Sequence, residues 1–390
     1  MENKTIEKGK KFVMGTYSPI PVVLASGDGV YLTDDQGNSY LDMVAGIAVN
    51  SLGYNHPKVI HAINEQSQQL MHCSNLYWNE PQVVLAEKLC ITSGLDKAFF
   101  CNSGAEANEA AIKLARKYGK EKKTIITMKQ SFHGRTMGAL KATGQTKYQN
   151  GFEPLPEGFI YTEANNINML ESLISEDVCA IMLEVIQGEA GVQPLEEDYL
   201  QYVNKVCHEN NILFIIDEVQ TGMGRTGYPF AFQKYNLSPD IITLAKAISG
   251  GIPMGAMLAK DHVANAFVPG DHASTFGGNP LAAHVAKTVA EVIFDDSFLK
   301  NVQENGAYFK AQLMKFMTNE NVVEVRGDGL MLGLVMAENV KVSDIVKACK
   351  NNGLLVCTAS SNVIRFVPPL IINKEEIDKT IHILEKVLIL

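Results

Sequence analysis

The chain has 390 residues, of which 46% are hydrophobic and 20% charged, the composition of a globular protein with enough apolar residues for a large core. The net charge of −9 argues against nucleic acid and against an anionic membrane surface as the main partner. The seven cysteines are scattered without a C-x-x-C pair, which suits a reducing compartment. The first residues lack the apolar core of a signal peptide and no apolar run is long enough to span a bilayer, so we expect a cytoplasmic protein.

The first 78 residues predict an N-terminal arm followed by a segment of a small domain. Residues 1–20 are mostly polar and end near two prolines, so we expect them to lie on another surface as an arm or a short helix. Tyr17 has two possible roles. Its hydroxyl reaches a pocket, or its ring simply packs against another surface. Residues 34–37 lie between alternating segments and predict a β-hairpin, and residues 57–70 have the apolar spacing of a helix.

Residues 79–285 alternate between apolar strands and helices, which predicts a large α/β domain with a mostly parallel sheet covered by helices. Residues 98–101 form a short apolar strand, and the residues after Gly104 are strong helix formers. Ser103 and Gly104 lie between the two, so unpaired N–H groups and the helix dipole favour a bound phosphate there. Ser103 with Glu106 equally fits an ordinary helix cap.

Two later loops carry polar side chains at the ends of predicted strands, where α/β sheets bind ligands. The first contains Phe132, which suits stacking on a planar ring, and Arg135, whose guanidinium suits a carboxylate. A solvated turn is the alternative interpretation of this loop. The second loop follows a buried strand that ends at Glu184, and it contains Glu189 in a glycine-rich sequence.

An aspartate and a lysine lie in apolar parts of this domain. Asp217 ends the continuous apolar run 212–216, so its carboxylate needs a cationic or hydrogen-bonded partner. A metal is conceivable, but no further ligand cluster accompanies Glu218, and we expect no metal site. Lys246 precedes a glycine-rich loop, and burial lowers the pKa of a lysine amine and makes it nucleophilic. Alternatively, Lys246 has no catalytic role and simply extends from the edge of a core strand towards solvent.

The rest of the chain supplies one more loop and a second domain. Ser274 and Thr275 lie in a loop of small residues suited to an anion, and short strands alternate with helices over residues 286–390. This alternation predicts a smaller α+β domain, which the N-terminal segment completes. Arg365 is a charge inside an apolar strand, either paired structurally or directed into a cleft.

Four of these features together match the needs of pyridoxal 5'-phosphate. A helix N-terminus suits its phosphate, and an aromatic face suits its ring. A buried aspartate keeps the ring nitrogen protonated, and a lysine suits its aldehyde. The sequence therefore predicts an enzyme that uses this cofactor.

Five stretches of the sequence resemble the class III aminotransferases in the same order, and the resemblance covers nearly the whole chain. They are NSGAEANE, SFHGRT, IQGEAG, IIDEVQTGMGRTG and LAKAISGGIPMGA. The resemblance implies fold-type I, an α/β fold in which a large cofactor-binding domain is joined by a smaller α+β domain. Val185 departs from the family, which usually has proline at this position.

The resemblance also implies a role for each matching position at the cofactor. Lys246 is similar to the lysine that forms the Schiff base and then moves a proton, and Asp217 to the partner of the ring nitrogen. Thr275 is similar to a phosphate ligand from the neighbouring subunit, so we expect a homodimer with a shared active site. The other cofactor-binding positions are Ser103, Gly104, Ala105, Phe132, Glu218, Val219 and Gln220.

Substrate contacts follow from the same resemblance. Arg135 and Ser274 are similar to residues that bind the amino donor, with Arg135 at its α-carboxylate, and Tyr17 in the arm is a further candidate. Arg365 is similar to the residue that binds the carboxylate of glutamate or 2-oxoglutarate. Glu189 is similar to a switchable partner that covers Arg365 when the other substrate is bound.

Within the family, the resemblance is greatest to members that act in arginine biosynthesis. It implies transfer of the δ-amino group of N2-acetylornithine to 2-oxoglutarate, giving N-acetylglutamate 5-semialdehyde and glutamate. Ornithine, succinylornithine and 4-aminobutyrate are alternative donors, because they differ in few pocket contacts. An aminomutase is a further alternative, which Arg365 with Glu189 disfavours. A non-catalytic binding protein is disfavoured because Lys246 and Asp217 are both present.

Overall fold

The computed structural model describes residues 3–388. Several helices begin at a capping side chain: those of Asn79, Ser103 and Asn279 each accept a hydrogen bond from a backbone N–H of the first turn, which satisfies a donor that the helix itself leaves unpaired. The helices are α1 (Lys4–Phe12), α2 (Ala45–Ala48), α3 (Pro57–Gln69), α4 (Glu80–Ser93), α5 (Gly104–Tyr118), α6 (Met137–Ala142), α7 (Thr146–Gln149), α8 (Ile167–Leu173), α9 (Glu197–Asn210), α10 (Ala231–Lys234), α11 (Asp261–Ala264), α12 (Pro280–Ile293), α13 (Asp296–Met314), α14 (Val342–Asn351) and α15 (Lys374–Leu388).

Short strands alternate with these helices along the chain. The strands are β1 (Leu24–Asp28), β2 (Tyr31–Asp34), β3 (Ser39–Asp42), β4 (Lys97–Cys101), β5 (Thr124–Met128), β6 (Phe159–Thr162), β7 (Val178–Leu183), β8 (Ile186–Gln187), β9 (Gln193–Pro194), β10 (Leu213–Asp217), β11 (Ile241–Leu244), β12 (Gly255–Ala259), β13 (Val322–Asp328), β14 (Met331–Met336), β15 (Leu354–Leu355), β16 (Cys357–Ala359) and β17 (Val363–Phe366).

The largest sheet has seven strands in the order β4-β12-β11-β10-β7-β5-β6. In this sheet β12 runs antiparallel to both of its neighbours, and the other pairs are parallel. Side chains alternate between its two faces: Ile215 joins the core with α5, whereas Ile216 joins the core with α9 and α12. Because both faces are covered, every residue of β7, β10 and β11 is buried, and all of them except Asp217 and Thr243 are apolar, as the continuous apolar runs predict.

The two ends of the chain share a second region. β15 from the C-terminal part pairs with β3 of the N-terminal hairpin, and the sheet β13-β14-β17-β16 lies beside a separate hydrophobic core. The predicted fold class, a large mostly parallel α/β unit with a smaller α+β unit, is therefore confirmed. The domain boundaries at residues 78 and 285 stay a prediction. No helix within residues 3–388 has the length and apolar character needed to cross a membrane.

Candidate active site

The carboxyl ends of β4, β5, β7, β10 and β11 open onto one cavity of about 390 Å³. Loops at this edge of a parallel sheet point away from the core, so they place polar side chains around a common space. The predicted site residues that line the cavity are Ser103, Gly104, Ala105, Phe132, Arg135, Glu189, Asp217, Val219, Gln220 and Lys246.

Lys246 lies at the bottom of this set, in the turn that follows β11. It begins the 3₁₀ segment Lys246–Ser249 with φ of 47°, a left-handed conformation that costs a lysine strain and is concentrated at functional sites. Desolvation lowers the pKa of Lys246, and Arg365 lowers it further, against the opposing effect of the Glu189 and Asp217 carboxylates. A larger fraction of the amine is therefore neutral near pH 7 than in an exposed lysine.

Asp217 ends β10 and presents a fully hydrogen-bonded carboxylate to the cavity. Asn108 Nδ2 donates to its Oδ2 at 2.8 Å, His133 Nδ1 lies 2.8 Å from the same oxygen, and Val219 N donates to its Oδ1 at 2.9 Å. Thr243 Oγ1 in turn donates to Asn108 Oδ1 at 2.7 Å. These donors stabilise a negative charge at a site that is 3% exposed, where an unpaired carboxylate would be costly.

The groups behind Asp217 are themselves perturbed by burial. Desolvation opposes charging of His133, but the hydrogen bond to Asp217 and the charges of Asp217 and Glu184 raise the pKa of His133. Burial raises the pKa of Glu184 to about 7, although its oxygens accept from Phe132 N at 2.9 Å and Gly188 N at 3.3 Å. Asp217, Glu184 and His133 thus form a cluster of buried ionisable groups on the floor of the cavity.

An anion cradle lies where β4 leads into α5. Ser103 Oγ accepts from Glu106 N at 3.2 Å, as the capping interpretation predicts, but the Glu106 carboxylate binds Asn102 N instead of Ser103 N. Gly104 and Ala105 occupy the first turn of α5, where backbone N–H groups have no partner within the helix. A Cβ at Gly104 would lie 2.8 Å from Val219 Cγ1, so only glycine keeps this space open.

The loop after β5 forms the mouth of the cavity. Phe132 lines the wall and packs edge-on against Tyr148, with their ring centroids 5.8 Å apart. The exposed guanidinium of Arg135 lies 4.1 Å from the centroid of the Tyr148 ring, a cation–π contact that positions it at the entrance. Its hydrogen-bonding edge therefore remains suited to a carboxylate that enters from solvent.

Arg365 extends from β17 and pairs with Glu189, which lines the cavity. Arg365 Nη1 lies 2.5 Å from Glu189 Oε1, and the Arg365 side chain is 2% exposed against 26% for Glu189. The same Nη1 also lies 3.3 Å from Gln220 Oε1. Burial opposes ionisation of Glu189, but the charge of Arg365 lowers the pKa of Glu189 overall. Burial likewise opposes the charge of Arg365, yet Cys357 and Glu189 raise its pKa.

Five predicted residues do not line this cavity in the single chain: Arg365, which contacts it through Glu189 and Gln220, and four others. Glu218 turns away from it, because its carboxylate accepts from Thr221 Oγ1 at 2.6 Å and Phe232 N at 2.8 Å. Ser274 is near the cradle, where its Oγ accepts from Asn102 Nδ2 at 3.1 Å. Thr275 and Tyr17 are exposed, and Tyr17 is 80% accessible.

Three residues without a predicted role, Asn108, His133 and Glu184, also line the cavity and support its floor. Asn108 lies on the buried face of α5, and a polar residue among buried alanines was the available signal. His133 directly follows the predicted stacking residue Phe132. Its Nε2 is buried without a hydrogen-bond partner among the described residues, so its contact with Asp217 is the polar bond that the fold provides for the ring.

The donor set fits pyridoxal 5'-phosphate on three independent observations. The cradle at Gly104 excludes a side chain but suits a phosphate, Asp217 is buried and accepts hydrogen bonds from Asn108 and Val219, and the buried Lys246 amine is close enough to acidic groups to feel their charge. Fold and site together define a pyridoxal-phosphate-dependent transferase. Residues 13–388 match the family model "Aminotransferase class-III", and the chain belongs to the class III aminotransferases, as the five sequence stretches predict.

Known relatives agree with this assignment. The chain is 52% identical to the acetylornithine aminotransferase of Caldanaerobacter subterraneus subsp. tengcongensis, with 97% of this chain and 98% of the relative covered. It is 48% identical to the acetylornithine aminotransferase of Methanocaldococcus jannaschii, with 98% and 97% covered. Among solved structures, the ornithine aminotransferase of Toxoplasma gondii ME49 superposes with a TM-score of 0.96 at 31% identity, over 100% of this chain and 95% of that one.

Proposed function

We propose that the enzyme transfers the δ-amino group of N2-acetyl-L-ornithine to 2-oxoglutarate, giving N-acetyl-L-glutamate 5-semialdehyde and L-glutamate, a step of arginine biosynthesis. The observation that carries this proposal is the Glu189–Arg365 pair at 2.5 Å beside the cavity that holds Lys246. The two curated relatives at 52% and 48% identity, both named acetylornithine aminotransferase, support the choice of donor.

The residues that would hold the cofactor lie on three sides of the cavity. We assign the phosphate to the backbone N–H groups of Gly104 and Ala105 beside Ser103, because a helix N-terminus favours an anion. We assign the ring to Phe132 and Val219. When bound, pyridoxal 5'-phosphate supplies an electron sink that stabilises negative charge on the carbon next to the amino nitrogen.

Two polar side chains, Asp217 and Gln220, would adjust the electronic properties of the cofactor ring. Asp217 would keep the ring nitrogen protonated, since its own charge is stabilised by Asn108, His133 and Val219. We assign Gln220 to the ring oxygen, since it lines the cavity beside Arg365. Neither assignment requires a metal.

Lys246 is the group that would attach the cofactor's aldehyde and move the proton. Desolvation lowers its pKa, so Nζ is a neutral base in a larger fraction of molecules than the amine of an exposed lysine. In this role Nζ accepts the proton from the substrate carbon that carries the amino group. Nζ would then pass this proton to the cofactor carbon that bore the aldehyde, and one water molecule would supply the carbonyl oxygen of the departing product; the second half-reaction would run these transfers in the opposite order.

Arg365 and Glu189 give the site two charge states for two substrates. With N2-acetylornithine bound, Glu189 covers Arg365 and Arg135 binds the donor's α-carboxylate. With glutamate or 2-oxoglutarate bound, Glu189 leaves and Arg365 binds a carboxylate of that substrate. Separating Glu189 from the buried Arg365 costs free energy. The substrate carboxylate offsets this cost because it takes the place of the Glu189 carboxylate beside Arg365.

A second copy of the chain would complete the site, which is the basis for proposing a homodimer. Thr275 is exposed in the single chain, beside Phe276, which is 58% exposed. Leu76 and Trp78 are also exposed, at 84% and 90%, which is unusual for large apolar side chains unless a partner covers them. We infer that Ser274, Thr275 and Tyr17 act at the boundary between two subunits. We also propose a cytoplasmic location, since all seven cysteines are unpaired.

Ornithine is the second candidate donor, favoured by the fold's similarity to the ornithine aminotransferase of Toxoplasma gondii. It differs from N2-acetylornithine by a charged α-ammonium group, so the two are separable by kinetics. In single-turnover experiments the change in absorbance of the bound cofactor reports the amino-donor half-reaction. We expect kcat/KM for N2-acetylornithine to exceed that for ornithine by about tenfold or more. A ratio that favours ornithine would assign the donor the other way.

A further inference from the structure

The loop of residues 188–192, called here the Glu189 loop, forms the tip of the β8–β9 hairpin. That hairpin consists of two residue pairs, Ile186 with Pro194 and Gln187 with Gln193. A two-pair ladder is too short to fix the orientation of its tip. The position of the Glu189 carboxylate, which meets Arg365 through Nη1 at 2.5 Å, must therefore depend on contacts outside the hairpin.

Arg326 on β13 supplies those contacts with its whole guanidinium. Its Nε donates to Gly191 O at 2.7 Å, its Nη1 to Gln193 Oε1 at 2.6 Å and its Nη2 to Ala190 O at 3.4 Å. The Arg326 side chain is 16% exposed, so these charge-assisted bonds are largely shielded from water. Its ion pair with Glu324 at 3.4 Å involves a carboxylate that is 51% exposed and contributes little.

Packing beneath the guanidinium is equally specific. Val192 is fully buried with φ of 55°, a conformation that a β-branched residue adopts only when its surroundings enforce it. It fits there because Gly333 on β14 has no side chain: a Cβ at Gly333 would lie 3.2 Å from Val192 Cβ. The Glu189 loop is thus held by the hydrogen bonds of Arg326 and by the close approach of Val192 to Gly333 on β14.

We propose that Arg326 is a positioning residue that sets the discrimination between the two substrates, by holding the Glu189 loop so that Glu189 covers Arg365. This inference rests on the proposed function of that pair as a switch. The closed state needs the carboxylate aligned with Arg365 Nη1, whereas the open state places Glu189 in solvent and needs no alignment. A rigid loop therefore stabilises the closed state alone.

Arg326→Lys tests this role because an ammonium cannot reproduce a fork of three donors. Gly191→Ala disturbs the same contact from the opposite side, since a Cβ there would lie 2.7 Å from Arg326 Nη2 and the residue has φ of 90°. Asp328→Asn is the matched control: Asp328 is also on β13 and binds Lys234 at 2.6 Å, but it does not touch the Glu189 loop.

The measurement is the ratio of kcat/KM for glutamate to kcat/KM for N2-acetylornithine in the two half-reactions of the holoenzyme. We expect the ratio to rise about tenfold in Arg326→Lys and in Gly191→Ala, in the same direction as in Glu189→Gln, and to stay unchanged in Asp328→Asn. A partly misfolded preparation lowers both constants equally and leaves the ratio unchanged. Hydrogen exchange of the amides of residues 188–192 should accelerate in Arg326→Lys by a similar factor.

The outcomes separate this inference from the proposed function. A ratio that changes in Glu189→Gln but not in Arg326→Lys and Gly191→Ala overturns the role of Arg326 and leaves the switch intact. A ratio unchanged in Glu189→Gln as well overturns both. If the wild-type enzyme does not react with N2-acetylornithine, the donor assignment fails, and the same ratio with ornithine as donor still decides the role of Arg326.

Discussion

His133 Nδ1 lies 2.8 Å from Asp217 Oδ2, and the two side chains are 0% and 4% exposed. The two residues are 84 positions apart in the chain, one after β5 and the other at the end of β10. The contact joins two strand ends that are not neighbours in the sheet. It ties the Asp217 carboxylate to a buried side chain from another strand end.

Replacement of His133 is therefore expected to weaken cofactor binding. His133→Gln removes a charge-assisted bond to a buried carboxylate, which contributes about 1.5–3 kcal/mol. The dissociation constant of pyridoxal 5'-phosphate should rise by one to two orders of magnitude, measured by titration of the apoenzyme. His262→Gln, an exposed histidine on α11, is the control and should bind as the wild type does. Equal affinities for the two variants would rule out this role of His133.

The anion cradle predicts a large effect from a single methyl group. Gly104→Ala places a Cβ 2.8 Å from Val219 Cγ1, so either Val219 or the first turn of α5 must shift away from the phosphate position. We expect cofactor affinity to fall about tenfold or more, since overpacking and a displaced N–H pair act together. Gly9→Ala on α1, where a Cβ meets nothing within 4 Å, should leave affinity unchanged. If Gly104→Ala binds the cofactor as tightly as the wild type does, the phosphate does not bind at the first turn of α5.

Glu218 predicts a pH dependence of stability. Burial raises the pKa of Glu218 from 4.5 to about 7, so between these values the folded protein holds a proton that the unfolded chain has lost. The free energy of unfolding therefore falls as pH rises through this window, by an amount on the order of 3 kcal/mol. Glu218→Gln has no proton to lose.

The stability of Glu218→Gln relative to the wild type should accordingly increase between pH 5 and pH 8, as measured by urea unfolding at fixed cofactor concentration. Because Glu218 faces Thr221 and Phe232 and not the cavity, kcat should change little in this variant. A stability difference that is constant with pH would contradict the raised pKa. A large loss of kcat would indicate that Glu218 does contribute to the cofactor site.

Mixed dimers test the proposal that Thr275 acts on the partner's cofactor. Lys246→Ala and Thr275→Asp should each be nearly inactive, the second because an added anion repels the phosphate. Co-refolding the two chains should restore about a quarter of wild-type activity, since half of the dimers are hybrids with one intact site each. A mixture no more active than its components would show that Thr275 does not serve a neighbouring subunit.

The fold and the floor of the site differ in how far the sequence predicts them. Apolar runs such as 212–216 predict buried parallel strands because burial on both faces demands apolar side chains at every position. The carboxyl ends of those strands then place Asp217 and Lys246 at one edge. Local patterns do not specify contacts between distant positions, so the bonds of Asp217 with Asn108 and His133 were not predicted.

Neighbouring residues at a strand end present a related difficulty. Asp217 and Glu218 are adjacent carboxylates, and both are predicted cofactor contacts, yet one faces the cavity and the other the loop of residues 221–232. Adjacent side chains of an extended segment point in opposite directions, but which of the two faces the ligand depends on the path of the following loop. The hydrogen bonds of Arg326 to residues 190–193 also join distant positions of the chain, so local sequence patterns do not predict them.

Reduction of the holoenzyme with borohydride, followed by peptide mass analysis, tests the central assignment most directly. The reagent fixes a bond between an amine and the cofactor's aldehyde, so the modified residue identifies the attachment site. We predict a single phosphopyridoxyl group on the peptide that contains Lys246 and none in Lys246→Ala. A modification on any other lysine, or none on the active enzyme, would contradict the assignment of this cavity as the aminotransferase site.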